Sequence, residues 1–207
     1  MVEAFGMDEW DGMLGFDYFA GRAWTFDYEN GVLFHRPNGG LPPHAPSEHV
    51  AFDVVTDSTG ARGINFLGLD LVVAGDTLGA FFDTGAGMAF PDSTLALMDD
   101  ELPSFHGVSF VRTSVYERWR EDHPDWRVIE RAGPDFLGSS AMILVPEVTV
   151  GGSTVGPAWF VERGDQGFDP LAAALGRSVD IALGGSVLHH FRRISVDYPS
   201  AEGVFQK

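Results

Sequence analysis

The chain contains no cysteine, which excludes disulfides and thiolate chemistry and leaves the redox compartment open. It is also poor in positive charge: 13 Lys and Arg stand against 30 Asp and Glu, for a net charge of −17. Phosphate backbones are gripped by clustered Lys and Arg, so nucleic acid is not an expected partner. The acidity itself fits solubility. No apolar run approaches the ~20 residues of a membrane-crossing helix, so no membrane segment is expected. The start, Met1-Val2-Glu3-Ala4-Phe5, lacks the basic and then apolar stretch of a signal peptide. For a truncated product that absence says nothing, and secreted or cell-envelope placement stays open.

What is present is 207 residues with 44% hydrophobic content, enough to bury a real core. The 26 Gly and 12 Pro imply many turns and a mainly β fold with a few short helices.

Two distant stretches resemble each other. Asp11, Leu14 and Gly15 match Asp180, Leu183 and Gly184 at an offset of 169, and Asp27-Tyr28 match Asp197-Tyr198 at 170. Gly31-Val32 match Gly203-Val204 at 172. Each copy reads as a short helical segment (Tyr18-Phe19; Val187-Leu188), then an alternating strand (Trp24, Phe26, Tyr28; Ile194, Val196, Tyr198), then a turn. Asn30-Gly31 between apolar runs is a strong hairpin signal. The copies look like the ends of two lobes. Between them, residues 37–49 form a linker crowded with Pro and Gly.

Strands are expected over 50–55 and 64–67. The alternation of Leu69, Leu71 and Val73, a turn at Gly75-Asp76 and the return over 78–82 predict a hairpin that delivers Asp83 at its end. Asp92 or Ser93 caps a helix carrying Leu95, Met98 and Leu102. Ser114 with Glu117 forms a capping box for another, stopped by Pro124. Further strands are expected over 126–130, 142–145, 148–150 and 158–161.

Asp83-Thr84-Gly85-Ala86 follows the aromatic pair Phe81-Phe82, and Ala182-Leu183-Gly184 comes later. In this order and setting the chain resembles aspartic proteases of the retropepsin and pepsin-like superfamily, the bacterial aspartyl-protease type in particular. The resemblance implies a closed or partly open β-barrel lobe of the acid-protease type over 50–207. Residues 1–36 would then be the C-terminal tail of a preceding, mostly absent lobe. It also implies peptide hydrolysis by two carboxylates sharing one proton, because two like charges that close cannot both ionise cheaply.

Asp83 would be one of the two. Thr84 would brace the loop across the partner loop, and Gly85 and Ala86 would shape the turn. Leu183 and Gly184, and in the other copy Leu14 and Gly15, would complete a ψ-shaped loop beneath each aspartate. Phe136, in the Gly- and Pro-bearing segment 131–140, would sit on a flap against substrate. The second aspartate would come from an absent N-terminal lobe or from a second copy in a homodimer. The partner is a peptide or protein substrate, and no cofactor is implied.

The alternative is a catalytically inactive protease-like module that binds peptide or mediates assembly. There, a lone aspartate in a polar turn titrates near the ordinary ~3.9. His44 with His49, and His189-His190, with one ring of that pair facing away, do not make a metal site. Gly185-Ser186 lacks the following glycine of a nucleophile elbow.

Overall fold

The computed structural model describes residues 14–98, 103–133 and 140–207. The protein is mainly β with a few short helices. A helical turn, α1 (Phe16–Phe19), leads into the hairpin β1 (Ala23–Asp27) and β2 (Val32–Arg36). Residues 37–48 then form no strand, only a 3-10 turn at Pro46–Glu48.

After this segment come β3 (His49–Ala51), β4 (Gly68–Val73), β5 (Asp76–Phe82), β6 (Gly87–Ala89) and α2 (Asp92–Met98). The chain continues through β7 (Phe105–Gly107), β8 (Ser109–Arg112), α3 (Thr113–Asp122), β9 (Val128–Ile129), β10 (Met142–Val145) and β11 (Val148–Val150). It ends with β12 (Ser153–Val155), β13 (Ala158–Arg163), α4 (Asp169–Leu175), β14 (Ile181–Leu183), α5 (Gly185–Leu188), β15 (Arg193–Asp197) and β16 (Glu202–Gln206).

Nine strands form one sheet in the order β12-β11-β4-β5-β14-β8-β13-β10-β9. The expected hairpin is there: β4 pairs antiparallel with β5, with Leu69, Leu71 and Val73 buried and Asp70 and Val72 exposed. β14 lies between β5, to which it is parallel, and β8, to which it is antiparallel. Both of its neighbours are remote in sequence, and all three of its side chains are buried. Leu71, Phe160, Ile181, Leu183 and Phe191 are fully enclosed. Each such side chain contributes about 1.5–3 kcal/mol relative to staying in water.

A second sheet has five strands in the order β2-β1-β15-β16-β3. Here the internal repeat becomes geometry. β1 and β15 run antiparallel at its centre with Thr25 opposite Ser195, and their hydroxyls meet at 2.7 Å. β2 flanks β1 as β16 flanks β15, with Ala23 opposite Arg36 and Arg193 opposite Gln206. The two hairpins are therefore related by a local two-fold axis through the Thr25–Ser195 pair.

The equivalence holds at an offset of 170 in both strands, which corrects the offset of 172 for Gly31-Val32. Val32 corresponds to Glu202, not to Val204, because both turns have the same length, 28–31 and 198–201. Composition misleads there: the left-handed residue closing the turn is Gly31 (φ 63°) in one copy and Ala201 (φ 56°) in the other. An Ala in that conformation costs about 1–2 kcal/mol, so Gly203 looked like the better match. Asp27 and Asp197 are both buried, and burial pushes the phenols of Tyr28 and Tyr198 alike up to about 12.

Several expected boundaries shift. Strand 50–55 shortens to β3, with isolated bridges at Asp53 and Thr56, and residues 64–67 are irregular. The strand expected over 126–130 is only β9. α3 starts at Thr113 rather than Ser114 and has no capping box; the Ser114 N–H is instead satisfied by Asp165 Oδ1 at 3.1 Å. β6, β7, β8, β12, β14 and α4 lie outside the elements expected from the sequence. The hydrogen-bonded sheets do not close into a barrel. Among the described residues no helix is long and apolar enough to cross a membrane.

Candidate active site

Asp83 stands one residue past β5, where the chain leaves the sheet and turns. Its backbone N–H donates to Leu183 O at 2.9 Å, so the parallel β5–β14 pairing is extended up to the carboxylate itself. Its carbonyl accepts from Ala86 N–H at 3.2 Å, closing the turn over Thr84 and Gly85. Gly85 N–H donates to Asp83 Oδ1 at 3.0 Å, which fixes the carboxylate's orientation. Ala86 is buried and its carbonyl accepts from Val108 N–H at 3.0 Å. Thr84 and Gly85 are exposed.

The crossing beneath this turn requires glycine. A Cβ on Gly184 would fall 1.9 Å from Val108 O and 2.8 Å from the Ala86 methyl. One on Gly185 would fall 2.7 Å from Gly107 Cα. Three chain segments thus touch backbone to backbone directly under the Asp83 loop. Two serines lock them together. Ser109 Oγ accepts from Gly184 N–H at 3.0 Å, and Ser186 Oγ bonds Ser109 Oγ and accepts from Ser109 N–H, each at 2.9 Å. Leu183 and Gly184 thus lie together with Asp83, Thr84, Gly85 and Ala86.

The other half of the expected set is not brought there. Leu14 is 55% exposed, and nothing approaches Gly15, which precedes α1. Residues 11–13 and the flap residue Phe136 lie outside the described residues.

The sequence alone assigns no role to Gly107 or Ser109 and tests Gly185-Ser186 only as a nucleophile elbow, whereas Ser186 is 9% exposed and braces backbone. A Gly-x-Ser in one stretch and a Gly-Gly-Ser in another were the available signal, but their meeting depends on β14 inserting beside β8.

The carboxyl of Asp83 sits above the ordinary carboxylate range, chiefly because it is largely buried; the N–H groups of Gly85 and Ala86 and the Arg163 guanidinium pull it partly back down. This corrects the expectation that a lone aspartate here titrates near its ordinary value. Burial alone lifts it, and no second carboxylate acts on it among the described residues. Arg163, at the end of β13 and over the ring of Phe110, is the charged group that reaches it.

The rings of His189 and His190 lie 4.2 Å apart rather than facing away, each tied to a backbone carbonyl, Gly185 O and Pro157 O respectively. Among the described residues no group of three His, Asp or Glu side chains converges to hold a metal. A cavity of about 540 Å³ lies elsewhere, on the five-stranded sheet, lined by Thr25, Asp27, Arg193 and Ser195 among others. Its aspartate is committed: Asp27 accepts from Arg193 Nε at 2.8 Å and from Asn30, which holds its carboxyl below the ordinary range. In comparison with known proteins, the chain matches no protein-family model and no curated protein.

Proposed function

We propose that this chain is the catalytic-lobe part of a two-lobed aspartic endopeptidase, in which Asp83 supplies one of two carboxylates that activate water. Residues 1–36 are the tail of a preceding lobe, 37–49 the linker, and 50–207 a complete lobe of the acid-protease type, an open version of its β-barrel. The observation that carries the reading is the support of Asp83: a carboxylate at a strand end, oriented by Gly85 N–H, over a glycine crossing made by Gly184.

In the assembled site the two carboxyls share one proton. The ionised one takes a proton from water as the water's oxygen attacks the peptide carbonyl, and the protonated one donates a hydrogen bond to the carbonyl oxygen. Burial that raises Asp83 favours holding such a proton. Thr84, exposed beside it, is free to bond the facing loop.

The β1–β2 hairpin favours two lobes of one molecule over a homodimer. It already occupies, against β15, the two-fold position that a second copy's terminal hairpin would take.

The test is cleavage of a peptide library at acidic pH by the polypeptide that includes the preceding lobe. Asp83→Asn is expected to lower kcat about 10²–10⁴-fold with little change in KM. Cleavage that survives the substitution removes Asp83 from the mechanism. Peptide binding without cleavage by the unsubstituted protein supports the inactive module instead.

A further inference from the structure

The five-stranded sheet has a polar face. Trp24, Ile194 and Val196 pack into the core, and the alternate residues Thr25, Asp27, Arg193 and Ser195 lie on the other side. The segment after β2 folds back over that side. Arg36 Nε donates to Gly40 O at 3.1 Å, and Gly40 N–H donates to Asp197 Oδ2 at 2.9 Å. Between sheet and segment lies the cavity of about 540 Å³, walled by both copies of the repeat and by Pro37 and Pro42. Its size suits an organic molecule rather than a lone ion, since small-molecule sites run to roughly 300–1,000 Å³.

Two groups there are incompletely bonded. Thr25 and Ser195 are 7 and 1% exposed, and their side-chain oxygens bond only each other among the described residues, at 2.7 Å. Two hydroxyls carry two hydrogens and the contact uses one, so a buried donor is left for an acceptor in the cavity. The other group is Arg36. Beyond Nε its guanidinium makes no hydrogen bond, and no carboxylate pairs with it among the described residues. The local two-fold places neutral Gln206 in the equivalent position, and Arg193 is tied to Asp27 at 2.8 Å. Arg36 is thus the arginine in the cavity wall without a counter-charge.

We infer that this cavity binds a small aromatic carboxylate. A guanidinium with both terminal nitrogens free is a planar fork that matches a carboxylate. Asp27, in the same wall, disfavours a doubly charged group such as a phosphate monoester. Phe34 and the two prolines supply apolar surface for a ring. Arg36 stands opposite Ala23, and Thr25 is two residues further along β1, about 7 Å at the usual strand rise. A ring with a carboxylate at one end and an acceptor oxygen at the other therefore reaches both the fork and the hydroxyl pair.

The test is an amide NMR titration of the isotope-labelled full chain with sodium para-hydroxybenzoate and, in parallel, with its neutral methyl ester. Saturable shifts at Thr25, Arg36, Gly39 and Ser195 are expected with the carboxylate. The ester is expected to bind at least about tenfold more weakly, because it lacks the charge-assisted pair. Arg36→Gln is expected to bring the carboxylate down to the ester's level, with Arg36→Lys in between, because a point charge replaces the fork. Arg22→Gln, at an exposed arginine outside the cavity that bonds Tyr18 O, leaves the affinity unchanged. Shifts that do not saturate at millimolar probe, that map away from those four residues, or that are equal for ester and carboxylate overturn the inference. So does an Arg36→Gln chain that keeps its melting temperature and binds as tightly as the unsubstituted one. No readout uses Asp83 or hydrolysis, so the inference goes beyond the peptidase reading and does not rest on it.

Discussion

At the scale of single residues, Asp83 shows how much a carboxylate's behaviour depends on what encloses it. Its motif is legible from Phe81 to Ala86, but its proton affinity is not, since burial sets the upward shift and two backbone N–H groups with Arg163 oppose it. The sign of the consequence can be worked out. The folded protein holds the Asp83 proton to a higher pH than the unfolded chain does, so stability falls as pH rises from the ordinary carboxylate value through the raised one. Asp83→Asn carries no such penalty and keeps the acceptor for Gly85 N–H. Its melting temperature is expected to exceed that of the unsubstituted chain at pH 7, and to match it well below the ordinary carboxylate range. A paired thermal-unfolding series across pH checks this; an Asp83→Asn chain that is less stable at pH 7 would mean that the carboxylate is a net stabiliser there.

At the scale of elements, the determining event is β14 inserting between β5 and β8. This brings Leu183 and Gly184 under the Asp83 turn and brings Ser186 to Ser109. β14 is apolar and fully buried, but its neighbours come from about residues 80 and 110, and nothing in its own residues names them. Gly184→Ala is expected to destabilise the chain by about 1–3 kcal/mol or more, since its methyl would collide with Val108 O, a backbone atom that cannot swing aside. Urea unfolding measures the loss. Gly63→Ala is the matched control, because nothing lies within 4 Å of a Cβ there, and it is expected to be near neutral.

At the scale of the whole molecule, 30 acidic residues against 13 basic ones give a net charge of −17. Ion pairs such as Arg118–Asp76 and Arg120–Glu130 sit at the surface and contribute little each. Self-repulsion among the excess carboxylates is therefore expected to weaken the folded state at neutral pH. Raising salt from about 0.01 to 0.15 M shortens the screening length from about 30 to 8 Å. The melting temperature at pH 7 is expected to rise over that interval, and a calorimetric series in sodium chloride measures it. A fall would place the favourable surface pairs above the long-range repulsion.

The sequence by itself determined the mainly β class, the β4–β5 hairpin ending at Asp83, the absence of strands over 37–48 and the existence of the repeat. Each of these is written in local signals: alternation of period two, Gly and Pro at turns, and apolar residues at matching spacing. Only the tertiary structure decided the true equivalence of the two hairpins, where Ala201 takes the left-handed place of Gly31. It likewise decided the Thr25–Ser195 contact across 170 residues and the serine bracing under Asp83. The reason is physical. Local patterns fix which face of a strand is buried, whereas strand order and register are set by which apolar faces fit together, and that information is spread over the whole chain.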